Sequence, residues 1–123
     1  MSADKPIAVI QFSIGSNCTN HPVGDPSMVF LNSVEQIRDT VTLYNSPFEN
    51  IVEHYLNIAA RTGDIDNITL DGAPLSTLGA NIEPLPANPD FSIATIRVSA
   101  GDHTLISAGC GLNVIAYGYG EME

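Results

Sequence analysis

The chain has 123 residues, enough to bury the core of one domain, and its four basic residues face fourteen acidic ones for a formal charge of −10. Lys5, Arg38, Arg61 and Arg97 are scattered, so the clustered cations that grip a nucleic-acid backbone or an anionic membrane surface are missing. No run of about 18 apolar residues occurs, which excludes a membrane-spanning helix, and no membrane insertion is expected.

Charged residues make up only 15% of a chain rich in Asn, Ser, Thr, Gly and Pro. That polar but uncharged balance suits an extracellular β-protein better than a cytosolic enzyme. Met1-Ser-Ala-Asp-Lys-Pro6 lacks the basic and apolar regions of a signal peptide. A strand pattern begins almost at once, so the expectation is a single domain over residues 1–123, excised from a larger surface protein.

Ala8, Ile10, Phe12 and Ile14 alternate over residues 7–14 and read as a strand. Residues 15–26, rich in Gly, Asn, Ser and Pro, form a loop ending in Gly24-Asp-Pro26. Residues 27–32 are a short apolar strand. Residues 39–44 alternate cleanly, with Val41 and Leu43 inward and Thr40, Thr42 and Tyr44 outward. Residues 46–61 carry two patterns. Ser46-Pro-Phe-Glu49 matches a helix start, and Ile51, Val52, Tyr55, Leu56 and Ala59 follow at helical spacing. At strand spacing, His54, Leu56, Ile58 and Ala60 alternate with Glu53, Tyr55, Asn57 and Ala59. A strand there could form a hairpin with residues 65–70 through Thr62-Gly-Asp64.

Asp71-Gly72 is a two-residue hairpin turn of type I′, in which both central residues need φ above zero. Pro74 keeps the returning strand from being a fully paired central one. Residues 76–90, with three prolines and two asparagines, read as a long surface loop. Residues 91–99 are a strand whose apolar phase shifts from Phe91 and Ile93 to Ile96 and Val98, the mark of a β-bulge near Ala94-Thr95. Gly101-Asp102 makes a turn, residues 103–108 a short strand, and residues 109–111 a second turn. The closing strand, residues 112–119, is apolar on both faces: Leu112, Val114 and Ala116 on one, Ile115, Tyr117 and Tyr119 on the other. Such a strand is expected to be central in a sheet or covered on both sides, here with residues 103–108 as its hairpin partner. The total is all-β, an antiparallel β-sandwich of about eight strands.

A nucleophile needs an adjacent base, and the chain has neither a Gly-x-Ser-x-Gly elbow nor a cysteine in electropositive surroundings. His21 reads as a loop residue, His54 as a strand residue, and His103 beside Asp102 as a structural turn pair. Asp64, Asp66, Asn67 and Asp71 lack the spacing of a calcium loop and read as a solvated acidic edge. Asn17-Cys-Thr19 and Asn67-Ile-Thr69 are formal glycosylation triplets. No catalytic, cofactor or metal residue is assigned, no cofactor is expected, and the chain is not expected to be an enzyme. Cys18 and Cys110 both fall in predicted turns, which suits a disulfide closing about 90 residues in an oxidising compartment. The alternative is two unpaired thiols.

Several stretches come in a recognisable order: Gln11-Phe-Ser-Ile-Gly-Ser-Asn-Cys18, Gly24-Asp-Pro-Ser-Met28, Ser33-Val-Glu-Gln36, His54-Tyr-Leu-Asn57, Thr69-Leu-Asp-Gly72, Gly101-Asp-His-Thr-Leu105 and Ala116-Tyr-Gly-Tyr-Gly120. Together they resemble the IgGFc-binding-protein-like domain of large secreted and cell-surface proteins, many of them from Bacteroidetes. The resemblance covers nearly the whole chain and corresponds to the later half of that domain. It implies that His54-Tyr-Leu-Asn57 is extended, which decides residues 46–61 in favour of strand. The chain departs from the pattern at Glu121-Met-Glu123, where family members continue into Ser-Tyr-Gly-Tyr, and at Cys110, which is less typical of the family than Cys18. The function expected is a non-catalytic extracellular adhesion or ligand-binding module of a bacterial surface protein. Its partner would be a protein or a glycan, met through the long loops 18–26 and 76–90. The alternative is a spacer or assembly module that packs on neighbouring domains of its parent chain, signalled by an exposed apolar edge or patch.

Overall fold

The computed structural model describes residues 4, 5, 7–15, 24, 26–48 and 50–120. Among them, alternating side chains build ten strands: β1 (Val9–Ser13), β2 (Ser27–Leu31), β3 (Thr40–Asn45), β4 (Ile51–Arg61), β5 (Ile68–Leu70), β6 (Ala73–Pro74), β7 (Asn81–Leu85), β8 (Asn88–Val98), β9 (Gly101–Ser107) and β10 (Asn113–Gly120). They form two four-stranded antiparallel sheets, ordered β10-β4-β8-β7 and β3-β9-β5-β6, and a separate β1–β2 hairpin. The fold is all-β, a sandwich of the two larger sheets with two more strands than the pattern predicts.

The core follows from the period-2 rule. On β4, His54, Leu56, Ile58 and Ala60 are buried, and on β8 Ser92, Ala94 and Ile96 lie opposite them in register. Leu105 of β9 and Ile68 and Leu70 of β5 meet them from the other sheet, with Val41 and Leu43 of β3 packed alongside. Ile65 and Leu75 plug the core from 3₁₀ turns. Leu56, Ile58, Ile68, Leu75, Leu105 and Leu112 are fully buried, each worth roughly 1.5–3 kcal/mol of transfer free energy.

β4 is a strand, although the helix-start signal at Ser46 has a local consequence. Ser46 Oγ accepts the Phe48 N–H at 3.2 Å, making a tight turn, and Asn50, at φ 52°, redirects the chain into the sheet. The cap residues shape a corner instead of a helix end, because Leu56, Ile58 and Ala60 bury together only on an extended backbone.

Four expectations are corrected. β4 does not pair with residues 65–70: its neighbours are β10 and β8, while β5 pairs with β6 and β9 in the opposite sheet. Leu70 closes instead onto Ala73 through Asp71 (φ 52°) and Gly72 (φ 85°), the predicted turn, and Pro74 sits on the edge strand β6, where no donor is needed. Residues 76–90 are not a loop. They complete a 3₁₀ turn, form edge strand β7, and turn at Pro86-Ala87 into β8. Proline was misleading there because Pro84 lies on an edge, next to a shift in register.

No bulge occurs at Ala94-Thr95, where the register with β4 and with β7 is continuous. The apparent phase change reflects two partly covered faces: Ala94 and Ile96 point into the core, Phe91 and Ile93 onto the opposite, half-buried face. The closing hairpin is also absent. β9 pairs with β3 and β5, whereas β10 crosses to the other sheet and pairs with β4 as an edge strand. Its apolar character has the second of the two expected causes, since Leu112 and Val114 pack on the core while Ile115, Tyr117 and Tyr119 are half-buried on the outer face.

Candidate functional site

β1 and β2 pair in register, with Ile10 opposite Phe30, Phe12 opposite Met28 and Ser13 opposite Ser27. Directly opposed residues share a face, so Ile10, Phe30, Phe12 and Met28 form an apolar ladder, continued by Ile14 beyond the end of β1. Their exposures are 39%, 61%, 70%, 55% and 62% respectively, so the ladder looks out on solvent. Gln11, Val29, Ser13 and Ser27 alternate onto the other face. Ser13 and Ser27 hydroxyls bond each other at 2.6 Å, and the Ser27 N–H donates to Ser13 Oγ at 3.0 Å.

That second face, together with Met28, forms one wall of a cleft of about 430 Å³, whose opposite wall is Asn57 of β4 and residues 115–119 of β10. The Asn32 amide donates to Asn113 Oδ1 at 2.9 Å and ties the end of the hairpin to β10. Gly24 lies so close to Tyr119 that an added Cβ would come within 2.9 Å of the ring, and its φ of 137° already favours glycine.

The register of β4 with β10 places Tyr55 opposite Tyr117 and Glu53 opposite Tyr119 on the outer face. The rings of Tyr55 and Tyr117 stack at 5.5 Å, and Tyr119 meets both edge-on at 5.8 Å. Asn57 Oδ1 accepts the Thr95 hydroxyl at 3.0 Å and the Tyr117 hydroxyl at 3.4 Å. Burial raises the pKa of both Tyr55 and Tyr117, helped at Tyr55 by its hydrogen bond to Glu53 and at Tyr117 by the neighbouring tyrosines. Both hydroxyls are therefore neutral at physiological pH. Glu53 also pairs with Arg97 at 3.6 Å. Two of the ordered motifs, His54-Tyr-Leu-Asn57 and Ala116-Tyr-Gly-Tyr-Gly120, carry these tyrosines and Asn57, but nothing in the sequence shows that they meet.

His103, Asp71 and Asp64 make contacts that hold the fold. His103 is buried in β9, with Nδ1 2.7 Å from Asp71 Oδ2 and Nε2 2.9 Å from the Ser99 carbonyl oxygen. Its partner is thus Asp71, not the adjacent Asp102, and both ring nitrogens are engaged. Burial alone depresses its pKa, but the bonds to Asp71 and Ser99 outweigh that and raise it, while the same contact lowers the pKa of Asp71. Asp71 Oδ1 also accepts the Thr104 N–H at 2.8 Å. Asp64 accepts the Cys110 N–H at 3.0 Å, so two residues of the acidic stretch hold turns. His54 faces the core from β4. Among the described residues no cluster of three or more His, Cys, Asp or Glu is placed to hold a metal ion.

Cys110 is exposed and free among the described residues. Cys18 and His21 lie outside them, as does most of loop 18–26, so the expected Cys18–Cys110 pairing is not placed. Loop 76–90, the other expected binding loop, has become strand. Among the described residues no helix is long and apolar enough to cross a membrane.

Comparison with curated proteins and with solved structures returns no match. A family model described as IgGFc binding protein matches residues 1–118, a span that takes in the hairpin and both walls of the cleft through Gly118. The chain belongs to the IgGFc-binding protein family.

Proposed function

We propose that the chain is a non-catalytic extracellular adhesion module of a bacterial cell-surface protein, and that it docks a protein partner through the apolar ladder of the β1–β2 hairpin. The ladder is the observation that carries the reading. Five large apolar side chains stand contiguous and exposed on a two-stranded element, and such patches mark interaction surfaces. A lone hairpin is marginally stable in water and gains from being covered. The family's description names binding to IgG Fc, which supports a protein as the class of partner without fixing which one. The charge of −10 speaks against a nucleic acid.

The test compares wild type with a Phe12→Ser/Phe30→Ser variant against a panel of purified extracellular proteins, IgG Fc included. Wild type is expected to bind at least one saturably, and the variant to lose about tenfold or more in affinity while folding normally. Binding to none of the panel, or equal binding by the variant, removes the ladder as the docking surface.

A second reading, the spacer or assembly module, draws on the same exposed ladder, the feature that was to signal it. It requires self-association, or docking onto an adjacent domain of the parent chain, that the same two substitutions abolish. Affinity for a separate purified protein speaks against it.

A further inference from the structure

We propose that the cleft between the β1–β2 hairpin and β10 is a binding site for a neutral carbohydrate of one or two pyranose units. This goes beyond the docking of a protein on the ladder, because the cleft is walled by the other face of the hairpin and shares only Met28 with the ladder, so that either can fail alone.

The chemistry of the walls carries the inference. In a chain with fourteen acidic residues, no charged side chain lines the cleft among the described residues. A ligand held by ion pairing finds no partner among them, and the surrounding negative potential disfavours an anion. What the walls do offer is amides, hydroxyls and aromatic rings, set among the aliphatic side chains of Met28, Val29, Ile115 and Ala116. Two tyrosines, Tyr117 and Tyr119, line one side and are fixed in place by mutual packing and by Tyr55. Rigid, amphipathic rings provide contact area at little cost in conformational entropy, and they cover the C–H face of a sugar ring as they would any apolar patch.

Polar groups then match hydroxyls, which both donate and accept. The Oδ1 of Asn57 is occupied by Thr95 and Tyr117, so its amide donors are what it presents to a ligand. Across the cleft, the mutual Ser13–Ser27 bond uses one of the two hydroxyl protons and leaves the other free to donate, beside the amide of Gln11. The volume of about 430 Å³ falls within the range of small-ligand clefts.

The protein itself supplies the probe. It has no tryptophan and four tyrosines, three of them in this cluster, so its ultraviolet emission reports mainly on the cleft. The full chain is titrated with lactose, cellobiose and di-N-acetylchitobiose, following tyrosine emission and backbone amide shifts. At least one disaccharide is expected to give saturable changes mapping to Asn57 and to residues 115–119. Tyr117→Ala is expected to weaken binding about tenfold, and Tyr117→Phe, which keeps the ring, by less. Gln11→Ala/Ser13→Ala, on the exposed hairpin wall and away from the core, guards against a misfolded variant and is expected to weaken binding as well. Phe12→Ser/Phe30→Ser should leave it unchanged, which separates this site from the ladder. No saturable change with any of the three sugars overturns the proposal, as does binding unaffected by both Tyr117→Ala and Gln11→Ala/Ser13→Ala. Saturable binding in the cleft of an uncharged extended peptide that excludes all three sugars overturns it too, and assigns the open edge of β10 to strand addition.

Discussion

His103 and Asp71 show how a residue's role depends on what the fold brings to it. The imidazole is buried, yet its pKa is raised, and the Asp71 carboxyl is held below its ordinary value. The histidine's contribution to stability is fully present below its unfolded pKa, near 6.5, and is lost as pH rises through the elevated folded value. The aspartate's contribution is present above its unfolded value, near 3.8, and is lost as pH falls through the depressed one. Stability from the pair is therefore greatest between about pH 4 and 6.5. Urea denaturation of wild type and His103→Gln across pH 3–9 is expected to show their difference shrinking toward both ends of that range; a difference independent of pH would mean the pair is never ionic. Gly72 is a simpler case. Its φ of 85° is strained for any side chain, although open space surrounds it. Gly72→Ala is expected to cost about 1 kcal/mol by urea midpoint, through backbone strain alone. The turn at Asp71-Gly72 was legible because its cause lies within the dipeptide. The Asp71–His103 contact was not, since 32 residues separate the partners and Asp102 stood nearer.

At the scale of elements, alternation named strands well and pairings poorly. β3 and β4 have the faces that the sequence predicts, with Val41 and Leu43 inward and Leu56, Ile58 and Ala60 buried. Circular dichroism of the chain is expected to lack a helical band, since residues 51–61 are strand; a helical signal from a tenth of the chain would reverse that assignment. Proline and phase arguments failed at β7 and β8 for one reason. Both signals presume knowledge of a strand's position in its sheet, and position is set by partners distant in sequence. β7 tolerates Pro84 because it is an edge, and β8 carries apolar residues on both faces because each face is partly covered. The β1–β2 hairpin follows the opposite logic. Its alternation gathers Ile10, Phe12 and Ile14 on one face, and that face is exposed. Substituting Phe12 and Phe30 by serine is accordingly expected to change folding stability by no more than about 0.5 kcal/mol each, a further check on the docking proposal.

The whole molecule divides its labour between a core that holds the sandwich together and a hairpin that adds little to it. Leu56 is fully buried in the centre of β4 between β10 and β8. Leu56→Ala is expected to lower unfolding free energy by about 2–5 kcal/mol through lost transfer energy and a residual cavity, a loss equilibrium urea unfolding measures directly. The contrast with Phe12 and Phe30, equally apolar but exposed, separates side chains that build the fold from those offered to a partner. Composition, alternation and the ordered motifs determined by themselves the all-β class, most of the strands, the turn at Asp71-Gly72 and membership of the family, because each depends on local residue chemistry or on linear order. Only the tertiary structure decided that β9 and β10 part into different sheets, that Tyr55, Tyr117 and Tyr119 meet, and that the hairpin's apolar side turns outward while its polar side closes a cleft. The physical reason is that period-2 alternation tells which side chains share a face but not what that face meets, and the meeting is settled by pairing between residues far apart in the chain.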